Sequence, residues 1–224
     1  MAVPVSDRLF RYSFSSPENA RDLARNLLPS RYHHLVEEAR VSVDSKSYIE
    51  AELREQLTDL LICFDRPAGD ATLYLYVLVE HKSQPEHWTT FQLLRYMLAV
   101  WSDVLRHEGP EPQRLPPILP VVLYQGARRW NSPRTFEALV ETAGKDDERE
   151  GPARHIPRFE PLFVNLQSLP DEHLHGGVRA VVALLFLKYL ARRIDRRAGR
   201  AGAPRCDAPR GRHAGAIMIA RRTS

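Results

Sequence analysis

Residues 75–84 read LYVLVEHKSQ, an apolar run that ends in an acid, Glu80, with a base, Lys82, two positions later. Apolar β-branched and aromatic residues in a short run followed by polar ones predict a buried β-strand. Side chains two positions apart on a strand project from the same face, roughly 6–7 Å apart along the chain. The sequence therefore predicts that Glu80 and Lys82 project together at the end of a buried strand.

The neighbouring segments place this strand in a sheet. Residues 59–64 form another short apolar run, and the segment 65–72 between the two runs contains the Pro and Gly of a turn, so we predict a hairpin. Residues 87–107 have apolar side chains at helical spacing, and residues 118–124, ILPVVLY, are apolar throughout, as expected of a strand covered on both faces. Strand, helix and strand predict a βαβ unit with parallel strands and a right-handed crossover.

Further patterns predict helices around this sheet. The clearest begins after Ser16, a suitable N-cap residue, with Pro17 in the first turn. We predict helices at 17–28, 30–39, 48–57 and 177–193, and an additional strand at 161–167. The fold class is therefore α/β, with a mixed central sheet flanked by helices.

The charge of the chain is unevenly distributed. The net charge is +4, but residues 188–224 hold 11 Lys and Arg against 2 acids, whereas residues 1–187 hold 21 against 26. The high isoelectric point thus comes from the C-terminal segment. Because the remainder is mildly acidic, bulk charge is no evidence that it binds nucleic acid.

The composition changes at about residue 193. Of the 32 residues from 193 to 224, 22 are Arg, Ala, Gly or Pro, and no apolar period remains, which predicts a disordered basic tail. We therefore divide the chain into a domain, residues 1–192, and a tail, residues 193–224. The tail is either a nucleic-acid-binding arm or the translation of a GC-rich frame after a frameshift. The interrupted helix pattern and the absence of aromatic residues favour the frameshift.

Few features of the sequence bear on the cellular compartment of the protein. The chain has no 18-residue apolar run and no continuous apolar stretch at its start, so neither a transmembrane helix nor a secretory signal is expected. The two cysteines, Cys63 and Cys206, lie in unrelated contexts and predict neither a disulfide framework nor a zinc site. We expect a cytoplasmic protein without a membrane partner.

The hairpin brings a second acid towards Glu80. Folding it about residues 68–69 places Asp59 opposite residues 78–80, beside the N-terminus of the long helix, where backbone N–H groups favour anions. Two carboxylates and an ammonium group would then meet at one end of the sheet. Carboxylate oxygens suit Mg²⁺, so Asp59 and Glu80 are candidate metal ligands, and Lys82 is a candidate for orienting water or stabilising negative charge. Upstream, Glu52 or Glu55 could support the metal.

Each of these residues also has an ordinary structural interpretation. The spacing E-x-K is frequent by chance, and an acid at the end of a strand is usually solvated. Asp59 could cap a turn, and Glu52 and Glu55 could form a solvated helix face. His81, on the opposite strand face from Glu80, is expected to be a packed or surface histidine.

The order of these segments resembles a known family. SYIEAELREQLTDLL (47–61), YLYVLVEHKSQPEHW (74–88), FQLLRYMLAVW (91–101) and LPPILPVVLYQGARRW (115–130) follow one another as in the recombination-promoting nuclease (Rpn), or YhgA-like transposase, family, and SDRLFRYSFSSPENARDLARNLLP (6–29) is similar to its N-terminal pattern. The resemblance covers roughly residues 6–190. It implies a restriction-endonuclease-like core of the PD-(D/E)XK superfamily.

What the resemblance implies about chemistry is specific. It implies a Mg²⁺-dependent DNA endonuclease that promotes recombination and acts on double-stranded DNA, with Asp59, Glu80 and Lys82 as its catalytic residues. It leaves a homo-oligomer open. Asn165 departs from the family pattern, where Asp is frequent, and so does the basic tail. The alternative is a truncated, inactive remnant of a mobile element that acts at most as a DNA-binding or interaction protein.

Overall fold

The protein forms a mixed five-stranded sheet within the residues that the computed structural model describes, which are 5–44, 60–68, 71–107, 114–141 and 152–200. The strands lie in chain order and are β1 (Arg40–Asp44), β2 (Leu60–Ala68), β3 (Ala71–Lys82), β4 (Ile118–Tyr124) and β5 (Leu162–Asn165). The first three strands pair antiparallel, and β4 and β5 add in parallel. The predicted α/β class with a mixed sheet is confirmed.

Helices cover both faces of the sheet. In the described ranges the α-helices are α1 (Val5–Phe14), α2 (Pro17–Leu27), α3 (His33–Val36), α4 (Thr89–His107) and α5 (Val178–Arg200). Short 3₁₀ turns lie at Ser30–Tyr32, Glu137–Leu139, Pro152–His155, Leu166–Ser168 and Asp171–His173. None of the helices in these ranges has the length and apolar character needed to cross a membrane.

Alternation along the strands divides the core into two layers. Val77 and Val79 of β3 are fully buried in the layer that α1, α2 and α5 cover, together with Ile62 of β2. Leu61, the neighbour of Ile62, points to the opposite layer and packs with α4. Successive strand residues face opposite ways, so even-numbered positions at the end of β3 belong to the α4 side.

The hairpin and the βαβ unit have the predicted connectivity. Strands β2 and β3 pair antiparallel, with Leu60 opposite Val79 and Ala68 opposite Ala71, a register offset from that of the predicted hairpin folded about residues 68–69. Strand β4 pairs in parallel with β3 and places Tyr124 opposite Lys82. The C-terminal ends of β3 and β4 therefore lie side by side.

Several elements differ from the sequence-based expectation. Helix α1 and strand β1 were not predicted, and segment 30–39 gives only a 3₁₀ turn and one turn of α-helix. Helix α5 continues to Arg200, past the boundary predicted at 192/193, because Ala and Arg are strong helix formers that need no apolar partner. The predicted helix 48–57 and the segment 201–224 lie outside the described residues, and the division into domain and tail stays a prediction.

A polar clasp joins α2 to the start of α5. Oδ2 of Asp22 accepts a hydrogen bond of 2.7 Å from the backbone N–H of Gly177, just before α5 begins. Gly176 has φ of 124°, and a side chain there would overlap the Asp22 carboxylate. The carboxylate thus caps a helix from a distant part of the chain, which favours this junction electrostatically.

Replacing Asp22 with Ala should lower the free energy of unfolding by about 1 kcal/mol, because the exposed backbone N–H of Gly177 at the start of α5 loses its acceptor. Urea denaturation followed by circular dichroism measures this loss. The exposed acid Glu172 provides the matched control, and Glu172→Ala should change stability by less than about 0.5 kcal/mol. If both variants lost the same free energy of unfolding, the hydrogen bond between Asp22 and Gly177 would not be a specific source of stability.

Candidate active site

Glu80 and Lys82 meet at the C-terminal end of β3. Both lie on the α4 side of the sheet, and Nζ of Lys82 is 2.7 Å from Oε1 of Glu80. The Glu80 side chain is fully buried, and that of Lys82 is 9% exposed. The predicted juxtaposition of the two side chains is therefore present, as a short buried ion pair.

Two further side chains hold the ammonium group of Lys82. Nζ donates to Oε2 of Glu86 at 2.8 Å and to Oε1 of Gln92 at 3.3 Å. Nε2 of Gln92 in turn donates to the hydroxyl of Tyr96, one turn further along α4, at 2.5 Å. Lys82 thus directs its three N–H groups to three acceptors, one on its own strand, one in the following turn and one on α4.

The electrostatic environment keeps Lys82 charged. Burial alone lowers the pKa of the ammonium group, but the adjacent carboxylates of Glu80 and Glu86 outweigh it, and the pKa of Lys82 is raised above its usual value. At neutral pH the side chain is therefore a fixed cation and cannot accept a proton. Its chemistry is that of a hydrogen-bond donor and positive charge.

The second carboxylate oxygen of Glu80 is available to a ligand. Oε2 is buried and has no hydrogen-bond partner among the described residues. A buried carboxylate oxygen without a partner is costly, and a divalent cation with hard-oxygen preference would satisfy it, so the residue fits Mg²⁺. In the described part of the chain, no three His, Cys, Asp or Glu residues cluster closely enough to form a complete metal site.

Asp59, Glu52 and Glu55 lie outside the described residues. The hairpin register does extend to the position next to Asp59, because Leu60 pairs with Val79, the residue before Glu80. Asp59, Glu52 and Glu55 therefore stay predictions.

His81, between the two site residues, faces the opposite layer of the core. Its ring stacks on Phe10 of α1 at a centroid distance of 4.9 Å and an interplanar angle of 6°. Nδ1 lies 3.3 Å from Oδ1 of Asp7. His81 is a packed histidine, as one of the structural interpretations predicted, and it anchors α1 to the strand that carries the site.

Sequence reasoning missed Glu86 and Gln92. A usable signal existed, because the predicted N-terminus of that helix abuts the strand end that carries Lys82. Polar residues in the first helical turn are therefore the ones able to reach that side chain.

Comparison with known proteins identifies the family of the chain. Residues 5–199 match the family model described as "Putative transposase, YhgA-like". The chain belongs to this family. No solved structure matches the chain significantly.

The similar proteins include some that are named nucleases and one that is named an inactive nuclease-like protein. The chain is 31% identical to "Recombination-promoting nuclease RpnD" of Escherichia coli O157:H7 over 84% of its length, and 30% identical to "Recombination-promoting nuclease RpnA" of Escherichia coli K12, also over 84%. It is 28% identical to "Inactive recombination-promoting nuclease-like protein RpnE" of the same strain over 82%. The matches span 68%, 60% and 58% of these three relatives.

Asp7→Asn should lower the free energy of unfolding at neutral pH, and the difference from the parent protein should disappear in acid. The hydrogen bond with His81 lowers the pKa of Asp7 below 3.8, although burial opposes the shift and Ser6 adds to it. A lowered carboxyl pKa contributes stability above the unfolded value, and this contribution disappears as the pH falls through the folded value. Urea denaturation of both proteins between pH 3 and pH 6 should show their difference shrinking below about pH 4. A constant difference would contradict the pairing.

Lys82→Met should destabilise the protein by about 3–5 kcal/mol in EDTA, because it leaves the Glu80 carboxylate buried without its cation. Combining it with Glu80→Gln should restore part of the loss, with a coupling of about 2 kcal/mol in a double-mutant cycle. Urea denaturation provides the four free energies. Arg158→Met, at an exposed position before β5, is the control and should change stability by less than about 0.5 kcal/mol. Additive losses would show that the pair is not coupled.

Proposed function

We propose that this protein is a Mg²⁺-dependent DNA endonuclease of the recombination-promoting type, with Glu80, Lys82 and Asp59 at its active site. The observation that carries the proposal is the buried Glu80 carboxylate, which uses one oxygen for Lys82 and leaves the other without a described partner. Two relatives of about 30% identity are named recombination-promoting nucleases, which supports the same class of chemistry.

In this proposal Glu80 holds the metal through Oε2, with Asp59 as the second carboxylate and Glu52 or Glu55 as support. When bound, Mg²⁺ polarises the scissile phosphate and lowers the pKa of water. The fully buried position of Glu80 excludes competing solvent, so the carboxylate keeps its orientation while substrate binds. The overall reaction joins the oxygen of water to phosphorus as the bond to O3′ breaks, leaving a 5′-phosphate and a 3′-hydroxyl that takes up the proton.

Lys82 acts as a fixed cation in this proposal. Burial lowers the pKa of its ammonium group, but Glu80 and Glu86 raise it above the usual value, which supports a role as a donor and positive charge. It can instead donate a hydrogen bond to the attacking water or to a phosphate oxygen that gains charge. Glu86 and Gln92 hold the ammonium group in place beside the Glu80 carboxylate.

A second candidate function is a DNA-binding protein without nuclease activity. The observation that favours it is that a relative of 28% identity is named an inactive nuclease-like protein. Family membership therefore does not decide activity. In that case the ion pair of Glu80 and Lys82 would have a structural role and no catalytic one.

Purified protein should cut supercoiled plasmid in MgCl₂ and should not cut it in EDTA. Glu80→Gln, Lys82→Gln and Asp59→Asn should each reduce the cutting rate by about 100-fold or more, because each removes a metal ligand or a charge that acts in the transition state. Glu160→Gln, which changes an exposed acid, should retain the rate of the parent. Circular dichroism melts establish that each variant is folded before its rate is compared.

Two outcomes would count against the proposal. Undiminished cutting by Glu80→Gln would remove Glu80 from the site. A folded parent that binds DNA but does not cut it in Mg²⁺ or Mn²⁺ would favour the second candidate.

A further inference from the structure

A basic loop follows β4 at the same edge of the sheet as Lys82. We define the basic loop as residues 125–136, which contain Arg128, Arg129 and Arg134. The surrounding sequence, residues 112–136, has four arginines and no acidic residue, although residues 1–187 carry a net charge of −5. The loop is thus a local positive region on an acidic body.

The start of the loop is attached to the residues around Lys82. The backbone N–H of Gln125 donates to the carbonyl of Lys82 at 2.9 Å. Gly126 lies so close to the carbonyl oxygen of Ser83 that an added methyl group would overlap it. Since adjacent strands are about 4.8 Å apart, the loop leaves the sheet directly beside the candidate active site.

Packing fixes the conformation from which the arginines project. The hydroxyl of Tyr124 donates to the carbonyl of Arg128 at 2.7 Å. The Trp130 ring packs edge-on against that of Tyr124, with centroids 5.1 Å apart, and its indole N–H donates to the carbonyl of Ser132. The side chains of Arg128 and Arg129 between these anchors are exposed. Arg128 and Arg129 therefore project into solvent from a backbone whose conformation is fixed by these contacts.

We propose that Arg128 and Arg129 bind phosphates of double-stranded DNA next to the bond that Glu80 and Lys82 act on. Arginine is suited to phosphate recognition because its planar guanidinium group donates paired hydrogen bonds. Phosphate contacts position a duplex without reading its sequence, so the pair sets affinity and register rather than target choice. This inference rests on the proposed function for its substrate, but it concerns binding and can be tested without metal.

The test measures binding of a fluorescent 30-base-pair duplex in EDTA by anisotropy, from 50 to 300 mM NaCl. Each phosphate contact contributes about 0.9 to the slope of log affinity against log salt. Arg128→Gln with Arg129→Gln should therefore reduce the slope by about 1.8 and weaken binding at 100 mM NaCl by about tenfold or more. Replacing both with Lys should retain most of the slope.

The matched control replaces two exposed arginines elsewhere, Arg154 and Arg158, with Gln. They precede β5, which runs parallel to β4, and so lie before the start of a strand rather than after its end. Their removal changes net charge equally and should leave the slope within about 0.5 of the parent. Equal slope changes in the two double variants, or a parent that does not bind the duplex, would overturn the inference.

These experiments distinguish failure of the phosphate-binding inference from failure of the nuclease proposal. If the parent binds in the expected way but never cuts in Mg²⁺, the nuclease proposal fails and the phosphate-binding role of the loop stands. If the Arg128 and Arg129 variant binds and cuts like the parent, the loop inference fails and the nuclease proposal stands.

Discussion

The contact between Lys82 and Glu80 is the constraint on which the site depends. Both groups are removed from water, and further hydrogen bonds to the ammonium group offset part of the cost of burying its charge. The turn after β3 and the first helical turns of α4 supply that arrangement through Glu86 and Gln92. The path of the chain from strand to helix is therefore the one that brings both acceptors to the ammonium group.

The several contacts of Lys82 make its position independent of any one of them. The ammonium group has three acceptors, so exchange of one of them leaves two that still orient it. Glu86 is more than half exposed and sits on the solvent side, whereas Glu80 lies inside. The charge of Lys82 can thus be shared between an inner carboxylate and an outer one without the side chain leaving its place.

Much of the fold around the site follows from periodicity in the sequence. The two-residue period of β3 predicted that Glu80 and Lys82 share a face, and the apolar run of β4 predicted a strand covered on both sides. Strand β1 escaped prediction because RVSVD is short and alternates Val with polar residues at a sheet edge, where propensity is weak. The roles of Glu86 and Gln92 were not predicted because they depend on how α4 packs on the sheet. The spacing of apolar residues along the sequence does not carry that information.

The alternation at the end of β3 also limits how this family can change in length. Glu80 and Lys82 face α4, and His81 between them faces Phe10 and Asp7. Loss or gain of a single residue inside the strand would point Glu80 and Lys82 into the apolar layer that contains Phe10. It would move the His81 imidazole to the α4 side. Within the strand, therefore, only changes by two residues preserve both the buried His81 anchor and the pair of Glu80 and Lys82.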